Sequence, residues 1–316
     1  MNRNYRLIPK FSAVLLLFAM LQIPVLAIAQ EIEEEEDHRG LQRVGNTFES
    51  NWLIDNQTVI VPLKNTAQMD IQHRFGVVKN GYKDLWGLYA PSNIRIGLSY
   101  VPIDNLQVGA GFSKDRLLWD VNAKYAILTE NGKKKSPVSV SYLVNMAIDT
   151  REEEYFVENT DRLSYFHQLM VARKVTRDFS VQGSISLSHF NSVNGYVTQD
   201  LEIDGEMKND HLAAGLMWRY KISDAFAFIG SYDQPITKHV RNNPNPNIAI
   251  GLEVATVMHA FQVFVGNYKW LVPQYNSVMN NNNFADGAFL IGFNITRLWD
   301  FETENMKEML FKRKNK

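Results

Sequence analysis

Residues 94–112 read IRIGLSYVPIDNLQVGAGF, and the fold turns on how that stretch divides. Ile94-Arg95-Ile96-Gly97-Leu98-Ser99-Tyr100 puts four large apolar groups on one face and Arg, Gly and Ser on the other. Leu106-Gln107-Val108-Gly109-Ala110-Gly111-Phe112 repeats that pattern after the short break Pro102–Asn105. Successive strand side chains point to opposite faces, so the stretch reads as two strands joined by a turn, each with one greasy and one polar or small face. The same period runs through Trp119–Ile127, Val138–Tyr142, Phe179–Leu187, Leu212–Tyr220, Phe226–Tyr232, Ile248–Thr256, Phe261–Val265 and Phe289–Ile295. Ala67–Phe75 and the weakly periodic Leu163–Lys174 bring the expectation to about twelve strands.

A soluble sandwich would alternate too. Three features favour a membrane barrel. The longer segments exceed the ~5–6 residues usual in soluble sheets and suit a tilted crossing of ~9–11. Their weaker faces carry Gly, Ser, Asn and Gln with occasional charges, which suits a wet interior. The connections also sort by parity. Those after the second, sixth, eighth and tenth strands are short, around 102–105, 176–178, 223–224 and 258. Those after the first, fifth, seventh, ninth and eleventh are long, 76–92, 149–161, 190–208, 233–246 and 268–285. The connections 131–137, mid-length, and 113–116, short, soften the rule. Short periplasmic turns and long external loops are what an outer-membrane barrel has. Trp119, Tyr125, Tyr100, Trp218, Tyr220 and Tyr232 fall towards strand ends on the apolar face, where amphipathic rings favour the headgroup level.

Around that barrel, assigned to residues 67–298, the chain has three other parts. Residues 1–29 carry Arg3, Arg6 and Lys10, then an apolar run closing on Ala27-Ile28-Ala29, the form of a secretory signal peptide. Its cleavage would take the formal net charge of the 316-residue chain from −1 to −4, since those three bases are lost and no acid is. Residues 30–66 begin with EIEEEEDHRG at 31–40 and are expected to be an acidic, flexible periplasmic arm. The basic tail 299–316 is expected to form a short surface helix or to fray. With no concentrated basic face, nucleic acid is not expected as a partner. With no cysteine, disulfide scaffolds, thiolate metal sites and lipid attachment at a lipobox are excluded.

Chemistry-bearing signals are sparse. No nucleophile–base pair, phosphate loop or metal-ligand spacing appears, so no catalytic residue, metal or cofactor is expected. Arg95, Asp120 and Lys124, from strands two and four, and Arg219 and Glu253, from strands eight and ten, are expected to line the lumen. There they would form either an ion-pair network that fills it or a polar lining for a narrow path. His73, Arg74, His189 and Asn191 end odd-numbered strands and are expected at one rim. They would serve there as a binding edge, or as a rim that merely bonds its own loops. The Asn-rich stretches 242–247 and 280–283 read as external turns.

His73-Arg74-Phe75-Gly76, Ile94–Tyr100, Lys124-Tyr125 and the His189/Asn191 pair also mark a resemblance. Over about residues 45–298 the chain resembles a family of uncharacterised outer-membrane β-barrels common in Bacteroidota, known only as a domain of unknown function. That resemblance implies location and architecture, and genes of the family often accompany periplasmic redox or carrier proteins. A weaker similarity is to the barrel partners of the type IX secretion machinery. The expected function is passage or binding of a small solute through a largely filled lumen. The alternative is a non-conducting scaffold docking a periplasmic or surface partner.

Overall fold

The computed structural model describes residues 47–130, 136–256 and 258–301. The leader, the acidic run at 31–37 and the tail beyond residue 301 lie outside them.

Twelve strands form one closed antiparallel barrel. They are β1 Thr66–Val77, β2 Asn93–Ile103, β3 Leu106–Ser113, β4 Leu118–Leu128, β5 Ser139–Asp149 and β6 Leu163–Lys174. The chain continues through β7 Phe179–Phe190, β8 Asp210–Lys221, β9 Phe226–Pro235, β10 Asn247–Ala255, β11 His259–Gly266 and β12 Leu290–Asp300. Each strand pairs with its sequence neighbours. The barrel shuts where β12 meets β1 in the register Trp299↔Ala67, Ile295↔Ile71 and Phe293↔His73. Closure leaves no unpaired edge, the condition a sheet must meet to cross hydrocarbon.

Alternation decides which side is which. Along β2, Asn93, Arg95 and Ser99 are buried while Leu98 is 61% exposed. Along β4, Leu118, Asp120 and Lys124 are buried while Trp119, Val121 and Tyr125 face outward. Ile185, Leu216 and Ile250 continue the greasy exterior around the wall. Polar side chains inside and bare apolar ones outside invert the arrangement of a water-soluble barrel, and only lipid makes that exterior favourable. Among the described residues no helix is long and apolar enough to cross a membrane.

The ends also sort as the spacing predicts. Short turns join β2–β3, β6–β7, β8–β9 and β10–β11, whereas the segments 78–92, 150–162, 191–209, 236–246 and 267–289 gather at the other end.

One expectation fails. Residues from Thr47 onward do not belong to a free arm. Residues 47–60 turn back into the barrel and carry a two-strand hairpin, Trp52–Leu53 against Asn56–Gln57, inside the lumen. Thr47 bonds Glu130 at the short-turn end, and β1 starts from that same end, so the segment enters and leaves by one mouth. The physical cause is the width of a twelve-stranded barrel, whose own inward side chains do not fill its axis. Phe48, Leu53, Ile54 and Val59, buried with Leu143, Phe166, Met170, Met217, Ile229 and Phe264, supply the missing filling.

Candidate functional site

The lumen is the site, and three sets of groups build it. The first is a charged row on the wall. Arg95 on β2 reaches sideways in both directions. Its Nη1 donates to Asp70 Oδ2 at 2.8 Å, and its Nε and Nη2 grip Asp120 at 2.9 and 2.8 Å. Asn145 adds a bond to Asp120 Oδ1 at 2.9 Å. A guanidinium can cross β3 only because residue 111 is glycine, since a methyl group there would overlap it. Across the barrel, Arg219 Nε bonds Glu253 Oε1 at 2.7 Å, and Gln262 Nε2 bonds Glu253 Oε2 at 2.8 Å. The planar fork of Arg suits such bidentate, dry pairing.

The second set holds the hairpin plug. Gln262 donates to Trp52 O at 2.8 Å and accepts from Ile54 N at 2.9 Å. Gln182 does the same for Gln57 O and Val59 N, each at 2.9 Å. Lys124 Nζ donates to Thr58 O at 3.1 Å and Ser141 Oγ to Val59 O at 2.7 Å. Arg74 pairs with Asp55 at the hairpin turn, bonds Asn294 Oδ1 at 2.9 Å and lies over the Phe264 ring at 4.4 Å. These are side chains of the wall completing the backbone of the plug, which removes the cost of burying an irregular segment.

The third set closes the opposite mouth. The loop 267–289 folds inward rather than standing clear, with a short helix at Pro273–Asn276 and Leu271, Val272, Tyr275 and Val278 buried. Gln274 Nε2 bonds Asn145 Oδ1 at 2.8 Å, and Tyr275 packs edge-on against Phe190 at 5.1 Å. Asparagines tie the loop to 236–246 and to the first residue of β10. Asn280 Nδ2 meets Asn247 Oδ1 at 2.8 Å, Asn247 Nδ2 meets Asn276 Oδ1 at 2.9 Å, and Asn245 N donates to Asn280 O at 2.8 Å. Of the stretch 280–283, read from sequence as an external turn, Asn280 is buried in this cap while Asn281 stays exposed. Burial and the neighbouring Asp55 and Asp233 carboxylates push the Tyr268 hydroxyl well above its ordinary range.

Of the residues singled out from sequence, Arg95, Asp120, Lys124, Arg219 and Glu253 all point into the lumen and are buried. The structure brings Arg95 to Asp120 and Arg219 to Glu253, while Lys124 serves the plug. The rim group is not brought together. His73 turns outward and stacks on Phe293, with ring centroids 5.0 Å apart. His189 sits on β7, diametrically opposite β1, against Asp210 at 2.7 Å. Asn191 bonds Thr160 O at 2.8 Å. Arg74 alone of the four faces inward, because it is one residue out of step with His73 and alternation sends neighbours to opposite faces. Asp70, Asp55, Asp233, Gln182, Gln262 and Gln274 were missed. Asp70, Gln182, Asp233 and Gln262 were visible in principle, on the polar faces of β1, β7, β9 and β11; Asp55 and Gln274 depend on the plug and the loop being inside. Among the described residues no three His, Asp or Glu side chains converge as a metal group.

A closed barrel with an apolar outside, a polar inside and a resident plug defines a membrane-spanning β-barrel protein. The chain belongs to the family described as membrane bound beta barrel domain (DUF5777), whose match covers residues 48–299 and so takes in the plug as well as the wall. No curated protein matches it. Among solved structures it is similar to the NanC porin, at 8% identity over 73% of this chain and 98% of that one, TM-score 0.44. It is similar also to the KdgM porin, at 11% identity over 74% and 99%, TM-score 0.41. An outer membrane channel from Pseudomonas putida F1 shows 11% identity over 76% and 97%, TM-score 0.45.

Proposed function

We propose that the protein is a plugged conduit of a Gram-negative outer membrane, which admits or binds a small polar solute when the hairpin 47–60 shifts. The observation that carries this reading is the way the plug is held. Its two strands pair only with each other and join no barrel strand, so no ladder hydrogen bond of the wall is lost if it moves. Besides apolar packing, its ties to the wall are side-chain hydrogen bonds with Gln182, Gln262, Asn294, Ser141, Lys124, Asp233 and Glu130, and one ion pair. Each such hydrogen bond contributes about 0.5–1.5 kcal/mol net because water can replace it. The wall behind the plug is mixed, polar at Ser141, Lys124, Gln182 and Gln262 and apolar at Leu143, Phe166, Met170, Met217, Ile229 and Phe264, so a cleared path would carry a polar strip for the solute.

Planar-bilayer recording tests the reading, using the full chain and a variant whose residues 47–60 are replaced by Gly/Ser of equal length. Discrete, enlarged steps in the variant over a quiet or small wild-type current are expected. Silence in both, with folded barrels, overturns it.

A second reading has its own support. Tyr82, Tyr89, Val157, Leu201 and Ile203 stand more than four-fifths exposed at the tips of the long loops. Such side chains suit a scaffold that docks another protein there. A stoichiometric companion after gentle detergent extraction, lost when these loop tips are made polar, would favour it. Neither reading requires catalysis.

A further inference from the structure

Charges in the lumen do not balance. Arg74, Arg95, Lys124 and Arg219 face Asp55, Asp70, Asp120, Asp233 and Glu253, all buried. Asp70 and Asp120 share Arg95, Glu253 has Arg219 and Asp55 has Arg74. Asp233, on β9, is the exception. Among the described residues no Lys, Arg or His forms an ion pair with it, and its Oδ2 accepts only from Asn56 Nδ2 at 2.9 Å. A buried carboxylate without a countercharge is costly, and a protein that keeps one ordinarily neutralises it or binds something to it.

Asp233 lines a small cavity, with room for about one water-sized group, where plug, wall and inward loop meet; its lining is polar except for Phe166, Ala213 and Pro273. Two buried oxygens of other residues lining this cavity lack partners. Asp55 gives one carboxylate oxygen to Arg74 and leaves Oδ2 unbonded; Gln57 Oε1, on the second strand of the plug, is also unbonded. Both residues line the cavity and are more than nine-tenths buried. Ser186 and Ser277 add hydroxyls to the lining. The lining thus offers hard oxygen donors and surplus negative charge, with no cationic side chain among its residues.

We propose that this cavity binds one small cation, coordinated or hydrogen-bonded by Asp233, Asp55 Oδ2 and Gln57 Oε1. Oxygen-only donors of this kind suit a hard metal cation such as Ca2+ or the ammonium group of a small organic cation, and not a soft metal. Bound there, the cation ties the plug (Asp55, Gln57) to the wall (Asp233), whether or not the lumen conducts.

The test is calorimetric titration of the folded, detergent-solubilised full chain with CaCl2 and, separately, methylammonium chloride, alongside Asp233→Asn and Gln57→Ala. One saturable site per chain is expected. Asp233→Asn should weaken it ~30-fold or more, as for loss of one charged partner from a buried contact, and Gln57→Ala should weaken it measurably. Calcium binding with these losses identifies a metal cation; methylammonium binding alone with the same losses identifies an organic one. If Asp233→Asn fails to give a heat-modifiable barrel, Gln57→Ala carries the decision, since it leaves the wall untouched. No saturable binding of either probe, or binding indifferent to both substitutions, overturns the proposal.

Discussion

Replacing Arg95 by Met should cost more stability than any loss of a single hydrogen bond in this protein. The guanidinium holds Asp70 at 2.8 Å and Asp120 at 2.8 Å, and all three side chains are nearly inaccessible to water. It also faces the Trp52 ring of the plug at 5.5 Å. Met fills a similar volume, so the loss is electrostatic. Two carboxylates would remain in a dry wall with no countercharge, and breaking a buried pair in that way costs about 3–5 kcal/mol. The companion variant Asp70→Asn/Arg95→Met/Asp120→Asn removes the stranded charges along with the cation. It should regain most of that loss, because neutral replacement of a buried ionic group is often close to neutral. Guanidinium unfolding in lipid vesicles, followed by tryptophan fluorescence, measures both. A single variant within about 1 kcal/mol of wild type, or a triple variant no better than the single, would refute the account of the row as a desolvated ion-pair network.

Two other predictions concern the barrel wall. Gly111→Ala places a methyl group in the path of the Arg95 guanidinium, which two carboxylates prevent from stepping aside. An overpacking loss of about 1–3 kcal/mol is expected in the same unfolding assay, and it should largely vanish when Arg95 is already Met. On the outer face, Leu98→Arg exposes a charge to lipid near the middle of β2 and should destabilise the barrel by about 2–4 kcal/mol in vesicles. The same change in a protein whose exterior met water would be almost silent.

Much of the wall was legible in the chain itself. In β2 and β3 the two-residue period sets which side chains share a face, and a strand obeys it whatever it later packs against. That is why Arg95, Asp120, Lys124, Arg219 and Glu253 could be placed inside before any pairing was known. The failures have two causes. His73 and Arg74 were treated as one rim group although their adjacency obliges them to part. The stretch 47–60 and the buried Asn280 lie where there is neither a strand nor a helix period, so nothing local distinguishes a plug or a packed contact from a solvated loop.

Sequence alone determined the greasy and polar faces, the number of crossings and the sorting of long and short connections, since each is written within a dozen neighbouring residues. Only the tertiary structure decided what occupies the lumen. The bonds that seat the plug join residues as far apart as Ile54 and Gln262, 208 positions along the chain. They exist only once β12 has closed on β1 and made an interior. Until then, Asp55 and Gln57 are two polar residues in a segment that water would solvate as well.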